Sequence, residues 1–382
     1  MYSLQNFDLD VFLRDYWQKK PLLIKQGLQH FTDPLDEHEL AGLALEDSID
    51  SRIISRDKQS WQVSHGPFND INQQCVGAWS LLVQKVDQYI PQADELMRAF
   101  SFIPSWRMTD LMVSFSNADA GVGPHIDQYD VFIIQGKGSR RWQVGLPGKH
   151  SEYLPHPELK QISPFTPLID EILTAGDIIY IPPHHPHNGI ALEDCMNYSV
   201  GFRAPSEQEM LTSFADYALE HNLFSQRYKD KSIAPRVYPG EIKQQELNHF
   251  KHLLSSTIAS THFEQWLGKY LSETNRSSHM EVGEGESYSE EEINDLLAEG
   301  IYFSREPGIK AIFIENQASD NTDFTFYIDS QTYTVELKYR EFVTHFLNSP
   351  AFSIELQQLP ENGLFFTPLL TKLVNSGFWL PE

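Results

Sequence analysis

Residues 121–135 read GVGPHIDQYDVFIIQ. A Gly-Pro break leads into His125 and Asp127, spaced around the apolar Ile126, and then into the apolar run Val131–Ile134. A segment entering a buried strand gains nothing in packing from an imidazole and a carboxylate. On a strand, side chains two apart project from one face, so His125 and Asp127 point together with backbones about 7 Å apart. Such a pair can converge on one cation, provided a third ligand comes from another strand. Taken alone, the pattern also fits a hydrogen-bonded core histidine beside a turn aspartate.

The flanks set the fold class. Between 110 and 204, DLMVSFS, DVFIIQ, RRWQVGL, DIIYIPP and MNYSVGF are short strand-like runs separated by Gly, Pro, Asn and Asp clusters. No helical period of useful length intervenes, which points to a sandwich or barrel rather than βαβ units. A jelly roll leads among these. Residues 1–100 read as mainly helical. There DVFLRDYWQ places Val11, Phe12, Tyr16 and Trp17 on one helical face, Pro21 stops that helix, and WSLLVQKVDQYI reads as another amphipathic helix.

Past Pro205 the pattern is helical again. Ser206 with Glu209 forms a capping box, and three amphipathic runs suggest a bundle. Residues 274–288, TNRSSHMEVGEGESY, read as a linker. A second capping box, Ser289 with Glu292, then opens a helix followed by IYFSR, KAIFIEN, DFTFYIDSQTYTVEL and the helical YREFVTHFLNS. The expected organisation is a mainly helical part over 1–100, a β catalytic core over 101–205, a helical region over 206–275, and a linker with a small α+β winged-helix-like domain over 276–382.

Composition narrows the function. Twenty-nine Lys and Arg stand against 53 Asp and Glu, a net charge of −24 over 382 residues. Such a surface repels phosphate backbones and attracts cationic partners, so no direct nucleic-acid contact is expected. The only cysteines, Cys75 and Cys195, form no CxxC, which argues against a disulfide framework or a structural zinc module. No secretory signal or membrane span is visible, and a cytoplasmic setting is expected.

The third ligand has an obvious source. In IPPHHPHNG the strand DIIYIPP ends in Pro182 and Pro183, with His184, His185 and His187 just beyond. Two histidines and one carboxylate form the facial triad suited to non-haem Fe(II), which leaves three coordination positions open. A structural zinc site would favour four protein ligands, typically with thiolates.

GPHIDQYDVFIIQGKGSRRWQV, GDIIYIPPHHPHNG and NYSVGFR together resemble the cupin-type JmjC oxygenases. With FLRDYWQKKPLLI, the helical segment and the acidic C-terminal part, nearly the whole chain is similar to the bacterial ribosomal oxygenases, which hydroxylate an arginine of a large-subunit ribosomal protein. The resemblance implies a double-stranded β-helix core and a 2-oxoglutarate-dependent dioxygenase that uses Fe(II) and dioxygen. It makes His125, Asp127 and His187 the iron ligands, since the family's ligand directly follows the last proline of this segment. His184 and His185 are then rim residues, and His150 and His156 structural. Arg140 matches the position that holds the far carboxylate of 2-oxoglutarate, with Arg141 at the surface. Ser116 resembles a second contact to that carboxylate, and Ser114 and Asn197 are further cosubstrate candidates, with Ser199 sharing Asn197's face.

The implied reaction decarboxylates 2-oxoglutarate to succinate while an arginine is hydroxylated. Asp119, Asp130 and Tyr129 are candidates to hold that arginine. NADAG at 117–121 and the paired histidines at 184–185 depart from the family pattern, at positions that bear on fine substrate contacts rather than on the metal chemistry. The implied partners are a basic ribosomal protein and a second copy of the chain through 206–275, with no membrane. Competing readings keep the chemistry but target histidine, asparagine or methyl-lysine, or make the chain a non-catalytic metal-binding cupin scaffold.

Overall fold

The strands of the core are, in chain order, β1 (Leu22–Ile24), β2 (Ser51–Asp57), β3 (Ser60–His65), β4 (Ala78–Val83), β5 (Met108–Ser116), β6 (His125–Ile126), β7 (Asp130–Gln135), β8 (Ser139–Gly145), β9 (Glu152–His156), β10 (Leu159–Ile162), β11 (Pro167–Thr174), β12 (Ile178–Ile181), β13 (Pro186–Ala191) and β14 (Cys195–Phe202). The computed structural model describes residues 2–231, 233–274, 287–315, 322–353, 359 and 363–382. In it an eight-stranded sheet is ordered β1-β12-β7-β14-β5-β4-β2-β3, a four-stranded sheet β11-β8-β13-β6, and β9 and β10 pair as a hairpin. The jelly-roll expectation is met.

Strand β7 shows why the sheets stack. It is buried along its whole length, and its residues serve two cores in alternation. Val131 and Ile133 face the small sheet, packing with Ile179 and Ile181 against Trp142, Val144 and Leu173. Phe132 and Ile134 face away, into a larger core that includes Phe12, Phe100, Tyr180 and Phe202. Phe132 lies 4.8 Å from Phe100 and 4.9 Å from Tyr180, ring centre to ring centre. One face of the large sheet is thus sealed by the N-terminal segment, and the other is left to form the cavity.

The reading of 1–100 as mainly helical is corrected. Helices α1 (Leu9–Asp15), α2 (Glu37–Leu43) and α3 (Pro91–Arg98) are present, but β1 to β4 share the segment and belong to the large sheet. WSLLVQKVDQYI, read as a helix, is most of β4 followed by a short 3-10 turn at Val86–Gln88. Its Leu81 and Val83 enter the larger core, while Leu82 packs with Ile54 and Leu159 on the opposite face. With both faces buried, no apolar/polar alternation remains to betray a strand.

Beyond the core lie α4 (Glu207–Glu220), α5 (Gln244–Ile258), α6 (Thr261–Ser272), α7 (Glu290–Ala298), β15 (Phe303–Arg305), β16 (Ala311–Ile312), β17 (Asp323–Ile328), β18 (Gln331–Glu336), α8 (Arg340–Asn348), β19 (Ala351–Phe352), α9 (Phe366–Asn375) and β20 (Trp379–Pro381). Both expected capping boxes close, at Ser206–Glu209 and Ser289–Glu292. The β17–β18 hairpin turns at Asp329 and Ser330, both at positive φ (45° and 62°), as a two-residue turn of matching twist requires. Most of the stretch read as a linker, residues 275–286, lies outside the described residues.

By contacts the chain sorts into two units: Met1–Ala204, Asn275–Ile309 and Ser349–Glu382 make one, and Pro205–Thr274 with Lys310–Asn348 the other. Within the second, α6 meets β17 at Gly268, where an added Cβ would fall 2.2 Å from the Tyr327 ring. Only glycine permits that approach. No helix among the described residues is long and apolar enough to cross a membrane.

Candidate functional site

A cavity of about 270 Å³ opens between the two sheets. His125, on the two-residue β6, is the direct antiparallel partner of His187 on β13. Their rings lie 4.2 Å apart. Asp127 follows β6 by one residue, and its Oδ2 stands 3.5 Å from His187 Nε2 and 3.9 Å from His125 Nε2. One donor atom from each of the three residues lies within 4.8 Å of the others.

Backbone carbonyls orient both rings. Gly123, at φ +82°, offers its oxygen to His125 Nδ1 at 2.9 Å, and the His185 oxygen accepts from His187 Nδ1 at 3.0 Å. Each Nε2 is thereby left as the lone-pair donor, the arrangement by which outer contacts aim an imidazole at a metal. Burial, aided by His125, pulls the His187 pKa down to about 4, so the ring is neutral at physiological pH. A mixed set of two imidazoles and one carboxylate fits Fe(II).

Arg140, on β8, is 4% exposed. Its guanidinium donates to Asn197 Oδ1 at 2.9 Å, Ser116 Oγ at 3.4 Å and the Gly189 carbonyl oxygen at 3.2 Å. All three acceptors are neutral, and its Nε is buried with no acceptor. Burial accordingly lowers its pKa. A buried cation held only by neutral partners is electrostatically incomplete, and a carboxylate completes it. The residues present therefore fit both a ferrous ion and the far carboxylate of 2-oxoglutarate.

Several features here escape a sequence reading. Ser80 on β4 bonds Ser116 at 2.7 Å, and Gln135 on β7 accepts from Asn197 Nδ2 at 2.8 Å. Both fix the groups that touch Arg140, yet each is brought there only by strand pairing. Trp142 lies 5.2 Å from the Arg140 guanidinium. Asp110 on β5 and Arg52 on β2 also line the cavity. Asp110 was within reach of the sequence, since it shares a strand face with Met112, Ser114 and Ser116.

The remaining candidates separate clearly. Ser114, Ser199 and Tyr129 line the cavity with Ser116 and Asn197. No hydrogen bond joins Ser114 to Arg140. Asp119 does not line it, and its peptide groups bond Ala191 and Arg56 instead. Asp130 is fully buried and accepts from Tyr180 and Gln18, 2.5 and 2.9 Å away, with Arg107 at 3.5 Å. Three positions after Asp127, it sits at the start of β7 rather than in the cavity. Arg141 pairs with Asp170 at the surface. Neither His184 nor His185 lines the cavity, and His185 bonds the Pro183 carbonyl. His156 accepts from the Glu158 amide, and His150 packs edge-on against Phe165.

Comparison with known proteins agrees with this geometry. Residues 95–210 match the JmjC domain family, and residues 247–380 match the ROXA-like winged helix. The chain is 40% identical to the ribosomal protein uL16 3-hydroxylase of Escherichia coli (strain K12), over 97% of each chain. It is 31% identical to a probable ribosomal oxygenase of Haemophilus influenzae, over 80% of this chain and 79% of that one. Among solved structures, the ribosomal oxygenase YcfD from Escherichia coli in complex with cobalt and 2-oxoglutarate superposes with a TM-score of 0.87, at 39% identity and full coverage of both chains. A complex of the same protein with cobalt and succinic acid matches equally well, at a TM-score of 0.87. With the family established across the whole length, this chain belongs to the bacterial ribosomal oxygenases of the JmjC type, enzymes that work with Fe(II), 2-oxoglutarate and dioxygen.

Proposed function

We propose that His125, Asp127 and His187 hold the iron, that Arg140 holds the far carboxylate of 2-oxoglutarate with Ser116 and Asn197, and that the enzyme hydroxylates an arginine side chain of a basic large-subunit ribosomal protein. The observation that carries this reading is one cavity lined by both the His-Asp-His cluster and a buried arginine with no carboxylate partner. When bound, iron with 2-oxoglutarate and dioxygen supplies the oxidising power, yielding succinate and carbon dioxide as a C–H bond gains oxygen.

The chain's own residues contribute placement. His125 and His187 present their Nε2 atoms to one point, and Asp127 adds a carboxylate oxygen there. Arg140, almost fully buried, grips the cosubstrate from the cavity wall, and Ser114 is left as a lining hydroxyl. Asp110, Met112 and Tyr129 line the same cavity. A carboxylate, a thioether and an aromatic ring together suit a guanidinium on an aliphatic stem. Burial holds the Tyr129 phenol above its usual pKa, with Asp127 and Asp110 adding to this and Arg52 and Arg203 opposing. The ring therefore stays uncharged. A net charge of −24 favours encounter with a basic protein. The E. coli relative's name, a uL16 3-hydroxylase, supports a substrate of that class.

The test is to incubate the Fe(II)- and ascorbate-loaded enzyme with 2-oxoglutarate and large-subunit ribosomal proteins and sequence the products by mass spectrometry. One oxygen gained on an arginine is expected. Oxygen on histidine or asparagine, or loss of a lysine methyl group, would move the activity to another target. Absence of any succinate would leave only a metal-binding scaffold.

We further propose that the catalytic core spans 101–205, that the winged-helix-like part recruits protein rather than nucleic acid, that the enzyme works in the cytoplasm, and that a second copy pairs through 206–275. Leu247, Phe250, Leu254 and Ile258 on α5 are 40–70% exposed. They fall at spacings of three or four residues, which suits a self-complementary helix pair. Sedimentation should give a dimer, and Leu254→Asp a monomer. A wild-type protein that sediments as a monomer at every concentration would overturn the pairing.

A further inference from the structure

Two arginines face the cavity with a buried, unpaired Nε: Arg140 and Arg52. Only the first is explained by the cosubstrate. Arg52 sits on β2, outside the matched JmjC segment 95–210. Backbone pairing sets it opposite Leu82 of β4, which is opposite Ser114 of β5, which is opposite Asn197 of β14. Direct partners in a sheet share a face, so this row lies along one wall of the cavity. At a strand spacing near 4.8 Å, the Arg52 backbone stands about 14 Å from that of Asn197, the residue that grips Arg140. The second arginine therefore serves the opposite side of the chamber from the cosubstrate anchor.

Among the described residues the Arg52 guanidinium makes neither a hydrogen bond nor an ion pair. Its Nε is buried without an acceptor, and a donor so withdrawn from water is costly, so its retention on a cavity wall calls for an acceptor brought by a bound molecule. That acceptor is poorly matched by a second carboxylate. Asp110, Asp127 and Glu158 line the cavity against Lys160 and the two arginines, and Arg140 already claims the cosubstrate carboxylate, so a second anion meets no net positive lining and a chain of net charge −24. A neutral carbonyl escapes that repulsion and still accepts from the guanidinium fork.

We propose that Arg52 is a positioning and specificity residue that donates to a main-chain carbonyl oxygen of the substrate segment beside the target arginine. This rests on the arginine-hydroxylase reading above. The N-terminal strands β2 and β4 thus extend the cavity into a substrate-reading annex, with Arg52 coming from β2 and Leu82 from β4. The annex fixes the main chain while Asp110 and Tyr129 receive the side chain. Because the oxidised carbon is the one held nearest the metal, such a tether also bears on which carbon reacts.

The test uses the full-length iron-loaded enzyme with an arginine-containing peptide from a basic large-subunit ribosomal protein. Arg52→Met should raise the peptide KM by about 10- to 100-fold, the range for a lost charge-assisted hydrogen bond. The KM for 2-oxoglutarate should not follow. Arg52→Lys should recover part of the loss, because it restores charge without the fork. Arg52→Gln repeats the measurement should the methionine variant melt early. An unchanged peptide KM overturns the inference, and so does a parallel rise in the KM for 2-oxoglutarate. Failure of the wild-type enzyme to oxidise the peptide's arginine is a different result: it removes the parent reading, and this inference falls with it.

Discussion

Replacing His187 with alanine should strip iron from the enzyme and cut hydroxylation by on the order of 10³-fold or more, ~4 kcal/mol of transition-state stabilisation. The side chain is 2% exposed, and its Nε2 faces Asp127 Oδ2 at 3.5 Å. Nothing nearby can take its place. His185 is aimed at the Pro183 carbonyl and His184 does not line the cavity. Two ligands cannot hold a metal against water and buffer as three can. The check is anaerobic metal analysis with turnover, taking His185→Ala as a control that keeps its iron. A His187→Ala protein that retains stoichiometric iron and normal turnover would remove the triad from the account.

Replacing Arg140 with methionine should raise the KM for 2-oxoglutarate by about 100-fold, from the loss of charge-assisted hydrogen bonds worth about 1.5–3 kcal/mol each. Iron binding should survive, since the guanidinium touches Ser116, Asn197 and Gly189 rather than the metal cluster. The effect on folding should have the opposite sign. Arg140 is a buried cation facing only neutral acceptors, so an apolar side chain of similar volume relieves a desolvation penalty. The variant, melted without 2-oxoglutarate, should be at least as stable as the wild type, whereas stabilisation by added 2-oxoglutarate should shrink. A KM within a few-fold of the wild type would place the cosubstrate elsewhere.

The two variants separate what could be read early from what could not. The HxD pair and the histidine cluster beyond the double proline are local features, legible because β6 and the β12–β13 connection carry them within a few residues of a break, and the family resemblance singled out His187, on β13, within that cluster. Arg140 was legible by resemblance, and its exposed neighbour Arg141 by the rule that adjacent strand residues face opposite ways. Asp119 and Asp130 misled for one reason. Nearness in sequence to a metal strand says nothing about which side of the strand a carboxylate occupies after the next turn. Asp130 begins β7 and is drawn to Tyr180 and Gln18, while Asp119, at φ +65°, turns outside the cavity.

The N-terminal hundred residues mark the clearest limit. Strand β4 buries Leu81 and Val83 on one face and Ser80 and Leu82 on the other, so its hydrophobic pattern carries no period. Only its pairing with β2 and β5 declares it a strand.

By itself, the order of residues indicated the jelly roll, an HxD pair with a histidine cluster beyond the double proline as candidate ligands, and the acidic character of the surface. Each follows from spacing or composition within short stretches. Tertiary structure alone decided that His125 sits opposite His187, that Ser80 and Gln135 brace the groups around Arg140, and that Arg52 reaches the same chamber. Those juxtapositions depend on strand register between segments tens of residues apart. Register is fixed by which faces can be buried together, not by any local signal.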